Sequence, residues 1–235
     1  MADLFPKAIL LDLDDTILSY GSPAQCWQEV CGRFVVREGF QPQPVLKAIL
    51  ERGVWYWGDP DRHRRGRLDL GMARREVVAM AFLKLGLDNA GLANEIADAY
   101  TVAREEALQP FPGAMEALRR LRAHGVKLAL LTNGAAEPQR FKVEKFGLTS
   151  FFDLILIEGE FGAGKPDARV YRHALEMLGV TPGEAWMVGD NLEWEVAAPQ
   201  RLGIKGIWND FAGTGLPEGS DVRPYRIIRS LTELI

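Results

Sequence analysis

Short, mostly apolar runs closed by polar residues or glycine recur at residues 8–11, 126–131, 154–157, 185–188 and 204–208. Runs this short, with no alternating polar face, have the signature of strands buried on both sides. Between them, apolar positions repeat at helical spacing over 112–123, 138–146, 167–178 and 193–202. Several of these stretches open on proline or a carboxylate, and Gly125, Gly147, Gly179 and Gly203 stop them. Strands alternating with helices of that length require parallel crossovers. The pattern predicts a doubly wound α/β fold, a mostly parallel, Rossmann-like sheet with helices on both faces. Ligands in such a sheet bind beyond the carboxyl ends of the strands. A glycine- and proline-rich stretch, 209–221, reads as a loop before a last short strand at 225–228.

One region breaks the alternation. From about residue 19 to 109 the patterning is helical throughout, with amphipathic material at 30–36, 45–50, 73–85 and 92–108. The expected division is an α/β catalytic core from 1–18 and 110–235, with 19–109 inserted as a helical cap domain. An insertion directly after the first strand is well placed to act as a lid.

Composition narrows the class of protein. A 47% hydrophobic and 26% charged chain holds enough apolar material for a core, which excludes disorder and collagen-like repeats. Twenty-eight basic residues against 32 acidic ones leave a net charge of −4, so there is no overall positive field to attract nucleic acid or an anionic membrane, and neither is an expected partner. Cys26 and Cys31 fit neither a metal-ligand pair nor a disulfide framework and read as reduced thiols. The first residues lack a signal-peptide apolar stretch, and no run of about eighteen apolar residues occurs, so a cytoplasmic location is expected.

The chemistry sits where the strands end. The first run stops in Asp12-Leu13-Asp14-Asp15-Thr16. A period-2 backbone sends Asp12 and Asp14 to one side and Leu13 to the core. Two carboxylates that close repel, and a hard divalent cation such as Mg²⁺ relieves the repulsion. The plainer reading is a strand-end turn in which Asp15 or Thr16 caps the next element. The second run ends in Thr132-Asn133-Gly134, a hydroxyl, an amide and a glycine that lets backbone N–H groups turn toward an anion. Taken alone, this is also an ordinary strand-to-helix turn. Lys165 lies in Gly162-Ala163-Gly164-Lys165-Pro166-Asp167, where its ammonium is placed to neutralise phosphoryl oxygens. A fourth strand ends in Gly189-Asp190-Asn191, with Asp190 still in the loop. Glu193 and Glu195 follow in the first helical turn, where they complement the helix dipole.

In this order, Asp12 with Asp14, Thr132, Lys165 and Asp190 resemble the four motifs of the haloacid dehalogenase-like superfamily, spread over residues 7–208, and the helical insertion matches the family's cap. The resemblance implies a Mg²⁺-dependent phosphatase acting on a small phosphorylated metabolite. Asp12 would be the nucleophile, forming an aspartyl-phosphate, and Asp14 would protonate the leaving oxygen and then activate water. Thr132 and the amide of Asn133 would hold a phosphoryl oxygen, and Lys165 would balance charge. The cation would be held by the Asp12 carboxylate, the Asp14 backbone carbonyl and Asp190, with Asn191 and, through water, Glu195 as further donors. The chain departs from the family pattern in having Glu195 where many members carry a second aspartate. Pro199, a few residues on, is expected to kink the helix.

An acid at Asp14 favours phosphoryl transfer over dehalogenation, which needs no leaving-group acid. A phosphonate hydrolase would need a cap lysine, and the cap offers only Lys47 and Lys84. A sugar phosphomutase, or a non-catalytic protein binding a phosphometabolite or a partner, remains as an alternative. Cap residues Trp55-Tyr56-Trp57 precede a basic loop, Arg62 to Arg67. They either bind an anionic ligand, or pack the cap while the arginines pair with Asp59, Asp61 and Asp69. Oligomeric state is not encoded in any of these patterns.

Overall fold

The computed structural model describes residues 5–235; residues 1–4, part of the stretch read for a signal segment, lie outside the described residues. The chain begins β1 (Ala8–Leu11) and β2 (Leu18–Ser19). Five helices follow, α1 (Pro23–Arg37), α2 (Pro42–Trp57), α3 (Pro60–Leu68), α4 (Leu70–Lys84) and α5 (Ala90–Glu106). It continues β3 (Gln109–Pro110), α6 (Ala114–Ala123), β4 (Lys127–Thr132), α7 (Ala136–Lys145), β5 (Leu154–Ile157), α8 (Glu158–Phe161) and α9 (Ala168–Leu178). The last elements are β6 (Ala185–Gly189), α10 (Ala198–Gln200), β7 (Lys205–Asn209) and β8 (Arg226–Ile228).

Six strands form one sheet in the order β5-β4-β1-β6-β7-β8, every pair parallel. β1 lies at the centre, and the chain winds outward from it first to one side and then to the other. Its carboxyl end is therefore the topological switch point, where a doubly wound sheet opens a crevice. β2 and β3 pair antiparallel in a separate two-stranded ribbon.

The sheet is buried on both faces. Ala8, Leu10, Ala129, Leu131 and Met187 pack in one cluster with Val170, Tyr171, Ala174, Leu175 and Leu178 of α9. Ile9, Leu11, Leu128 and Leu130, which alternate with them, are equally buried on the other face. The burial explains why these runs read as continuous apolar stretches.

Two compact units result. One holds the residues up to Ser19 together with Gln109–Ile235, the other Tyr20–Leu108. The second unit has its own core, in which Trp27, Val35, Ile49, Tyr56, Val78 and Phe82 take part. Among the described residues no helix is long and apolar enough to cross a membrane.

Two expectations need correcting. The run Arg62 to Arg67 is not a loop but part of α3. Asp59 caps this helix by accepting from the Arg62 N–H at 2.8 Å, and Pro60 opens it. The stretch 193–202 is not one helix kinked by Pro199. Leu192–Ala197 forms a widened π-helical turn, and Pro199 sits at the start of α10, where a missing N–H costs little. The wide turn lies hard against β7: a Cβ on Gly206 would stand 2.6 Å from Val196 Cα and 3.0 Å from the Glu195 carbonyl oxygen. These neighbours are backbone and cannot swing aside. Gly206→Ala is expected to destabilise the protein by about 1–3 kcal/mol in chemical denaturation.

Candidate active site

At the end of β1 the chain turns back on itself. The Asp12 N–H still donates to the Val188 carbonyl at 3.0 Å, so Asp12 is anchored to the sheet. Leu13 is fully buried, and its carbonyl accepts from both Ile17 and Leu18. Asp15 takes a left-handed conformation, φ 57°, and donates its N–H to the Leu18 carbonyl at 2.7 Å. Aspartate tolerates that region better than most residues. Asp15 therefore serves the turn through its backbone.

Lys165 is almost fully buried. Its Nζ lies 2.5 Å from Asp12 Oδ1 and 2.7 Å from Glu195 Oε1. Asn133 fixes the lysine's own backbone: its Nδ2 donates to the Lys165 carbonyl and its Oδ1 accepts from the Lys165 N–H, both at 2.8 Å. The side-chain amide of Asn133 is thus committed to the lysine loop, and any contact with a phosphoryl oxygen falls to its backbone N–H. Burial works to lower the Lys165 pKa, but the charges and hydrogen bonds of Asp12 and Glu195 prevail and raise it, so the ammonium stays charged.

Glu195 does not decorate a helix N-terminus. It is buried, its Oε2 accepts from the Asn191 N–H at 2.8 Å, and its other oxygen meets Lys165. Burial raises its pKa against the pull of Lys165. Gly189 makes room for it: a Cβ there would fall 2.1 Å from Glu195 Cγ and 3.0 Å from Asp12 Cβ. Asn191, expected as an oxygen donor, uses Oδ1 to cap the next turn through the N–H groups of Glu193 and Trp194. Both of the further donors read from the sequence thus already have hydrogen-bond or ion-pair partners within the protein.

Asp14 is held by two residues that the motif reading missed. Lys142 Nζ lies 2.9 and 2.8 Å from its two carboxylate oxygens, and Gln139 Nε2 donates to Oδ2 at 2.9 Å. The same Gln139 amide reaches Thr132 Oγ1 at 2.6 Å and the Asn133 carbonyl at 2.7 Å, tying the first and second loops together. Gln139 and Lys142 stand three apart on α7 and so share a face. A polar pair on a helix face that must meet the sheet was the available signal. Beside them, Glu158 accepts from the Gly134 N–H at 2.9 Å and steadies the Thr132 loop.

Asp190 completes the set. Its carbonyl accepts from the Trp208 indole N–H at 2.7 Å. Its carboxyl is pushed up to about 8, first by burial and then by the charges of Asp12, Glu195 and Asp15. A carboxyl raised this far marks surplus negative charge in a dry place. Asp12, Thr132 and Asp190 thus stand at the ends of three adjacent strands, β1, β4 and β6, and Lys165 comes from the loop between α8 and α9.

Within the second unit, Tyr20–Leu108, the aromatic and basic cluster is largely self-satisfied. Arg62 stacks 3.6 Å from the Trp55 ring centroid and donates to the Trp55 carbonyl at 2.8 Å, and Tyr56 is buried in the core of that unit. Arg62 and Arg64 pair with Asp59 and Asp61. Cys26 and Cys31 are free thiols, and burial raises the Cys31 thiol to about 12, which leaves it inert.

Comparison with known proteins adds the lineage. The chain is 34% identical to a phosphoserine phosphatase of Thermus thermophilus, over 97% of both chains. It is 31% identical to a glyceraldehyde 3-phosphate phosphatase of Methanocaldococcus jannaschii, over 97% of this chain and 95% of that one. Among solved structures, a 2-haloacid dehalogenase from Pseudomonas syringae matches with a TM-score of 0.61 and 25% identity, over 98% of this chain and 96% of the other. Phosphatases and dehalogenases share this architecture, so the fold alone does not choose between them. The model of the family described as haloacid dehalogenase-like hydrolase matches residues 6–203, and with the full-length relatives it makes the chain a member of that family and an enzyme, a hydrolase.

Proposed function

We propose that the protein is a Mg²⁺-dependent phosphatase that hydrolyses a small phosphorylated metabolite through an aspartyl-phosphate on Asp12. The observation that carries this reading is the second carboxylate, Asp14, on the same loop as Asp12 and joined to Thr132 through Gln139. A dehalogenase has no use for an acid there, whereas a phosphate monoester leaves as an alkoxide that needs a proton. The whole-length relatives act on phosphoserine and glyceraldehyde 3-phosphate by name, which supports a small metabolite as substrate.

In the proposed reaction the Asp12 carboxylate attacks phosphorus, and Asp14 gives its proton to the leaving oxygen. Asp14 then takes a proton from the water that attacks the acyl-phosphate, releasing inorganic phosphate and regenerating Asp12. Thr132 Oγ1 and the Asn133 N–H hold phosphoryl oxygens, while Lys165 balances charge on Asp12 and the transferred group. The donors present fit a hard cation. They are oxygen only, and the crowding with Asp12, Glu195 and Asp15 that, after burial, raises the Asp190 carboxyl is what a divalent cation would relieve, which supports the reading. Among the described residues no group of three or more His, Cys, Asp or Glu side chains is disposed to hold a metal ion. Two carboxylates, Asp12 and Asp190, with the Asp14 carbonyl and several waters match the manner in which Mg²⁺ binds. When bound, the ion offsets the repulsion between the attacking carboxylate and the phosphoryl oxygens.

The reading has a direct test in phosphate release from a panel of phosphorylated three-carbon and sugar compounds with and without Mg²⁺. Metal-dependent release is the expected result. Phosphate moved between substrate positions without release would assign a mutase instead, and binding without either would assign a non-catalytic role.

A second measurement follows from Asp190. An unfolded aspartate loses its proton near pH 4, whereas the folded one keeps it to about pH 8. The metal-free native state thus binds the extra proton, and its stability falls as pH rises through that window. Tm without metal is expected to drop between about pH 5 and pH 8. The gain in Tm on adding Mg²⁺ should grow over the same range, because the ion competes with that proton. Asp190→Asn should flatten both curves.

A further inference from the structure

The cap unit contains a cavity of about 140 Å³ lined by Trp27, Trp57, Leu70, Arg74, Tyr100 and Arg104 among others, with two arginines and no carboxylate in its wall. The two guanidiniums are differently placed. Arg104 is buried and anchored, its Nη1 donating to the carbonyls of Tyr20 at 2.8 Å and Gly21 at 3.1 Å. Arg74 has neither a hydrogen bond nor an ion pair among the described residues, and its one close partner is the face of Tyr100, 5.3 Å away. The next residue, Arg75, shows the alternative: it is exposed and takes a two-pronged pair with Asp98 at 2.8 and 2.9 Å. Burial, with a smaller push from Arg104, presses the Arg74 pKa down against the opposing pull of Tyr100, Tyr20 and the Glu105 carboxylate, so the half-buried guanidinium has charged neighbours on both sides but no close ion pair. Trp27 and Tyr100 stack with ring centroids 3.6 Å apart, so the wall is rigid.

We infer that this cap cavity is a recognition subsite for a small organic carboxylate, with the Arg74 guanidinium as its open donor and the aromatic wall holding the carbon body. A planar guanidinium fork matches a carboxylate in two parallel hydrogen bonds, and that pair gains strength where water is excluded. A few-carbon acid suits the volume, and the lining rings of Trp27, Trp57 and Tyr100 offer apolar surface to its carbon body. Two sources supply such a group: the substrate itself, or a free acid acting as an effector. The first rests on the phosphatase reading and the second does not.

The full-length protein should be titrated calorimetrically with acetate, propionate and benzoate, and compared with Arg74→Gln and Arg74→Lys. Saturable binding of one equivalent is expected, weakened about tenfold or more in Arg74→Gln and by less in Arg74→Lys, which keeps the charge but not the fork. This titration of the wild-type protein decides whether or not the glutamine variant folds, and it needs no turnover. The second arm compares KM for O-phosphoserine and O-phosphoethanolamine, which differ by one carboxylate. If the substrate fills the cavity, Arg74→Gln raises KM for phosphoserine about tenfold more than for phosphoethanolamine. Binding that depends on Arg74 while the two KM values move together assigns the cavity to a free acid. No saturable binding by the wild-type protein, or binding that Arg74→Gln leaves intact, overturns the assignment.

Discussion

Asp12→Asn should abolish phosphate release, lowering kcat by roughly 10⁴-fold or more, while leaving the fold intact. An amide has no lone pair basic enough to attack phosphorus, so the first covalent step disappears. The surroundings tolerate the change. Lys165 Nζ, 2.5 Å from Asp12 Oδ1, still finds a carbonyl oxygen there and keeps Glu195 at 2.7 Å. Removing the Asp12 charge also removes one of the charges that raise Asp190, so that carboxyl should titrate lower and the metal-free protein should lose less stability toward pH 8. Dead catalysis with undiminished Tm is therefore the expected pair of results. Intact-mass analysis of acid-quenched protein separates the two aspartates. Phosphorylated protein should be absent in Asp12→Asn, and it should accumulate in Asp14→Asn, where the acyl-phosphate forms with a substrate whose leaving group needs little protonation but lacks the base that hydrolyses it. A phosphorylated Asp12→Asn protein would place the nucleophile elsewhere.

How much of this was legible in the sequence depends on distance along the chain. The strands were, because β1, β4, β6 and β7 are buried on both faces almost throughout, and the edge strand β5 is half-buried or buried along its length, so that all five read as short apolar runs with little polar content. Their boundaries follow within a residue. The strand-end residues were legible too, since three carboxylates closing an apolar strand conflict with burial unless chemistry needs them there. What was hidden is the support around them. Gln139 and Lys142 reach Asp14 across more than a hundred residues, and helical spacing says that they share a face without saying what the face meets. Glu195 read as a dipole partner because the helix pattern ran on to 202; the wide turn at Leu192–Ala197 instead directs it to Lys165. α3 was lost for a different reason. Its sequence is almost wholly polar, so no apolar stripe announced a helix, although Asp59-Pro60 carried the capping signal.

The Lys165 cluster leads to the second large effect. Lys165→Met should abolish turnover and also destabilise the protein, by about 3–5 kcal/mol in denaturant, because it leaves the carboxylates of Asp12 and Glu195 buried with their cation gone. Adding Glu195→Gln should restore much of that stability, since a neutral amide in the same place needs no counter-charge, yet restore no activity, since nothing then balances charge on Asp12 and the phosphoryl group. The pH dependence distinguishes this account from a simple packing defect. Burial already raises the pKa of both carboxyls in the native protein, and Lys165 is what opposes the rise. Without the lysine both pKa values should climb further. The folded single variant then binds more protons than its unfolded chain, so its stability should be greatest at low pH and fall as pH rises from the usual carboxylate range to the raised values. The double variant, with one of those groups made neutral, should show a shallower slope. A Lys165→Met protein equally destabilised at every pH would mean that the lost methylene packing, rather than the orphaned charge, dominates, and that Glu195 is not held there by the lysine.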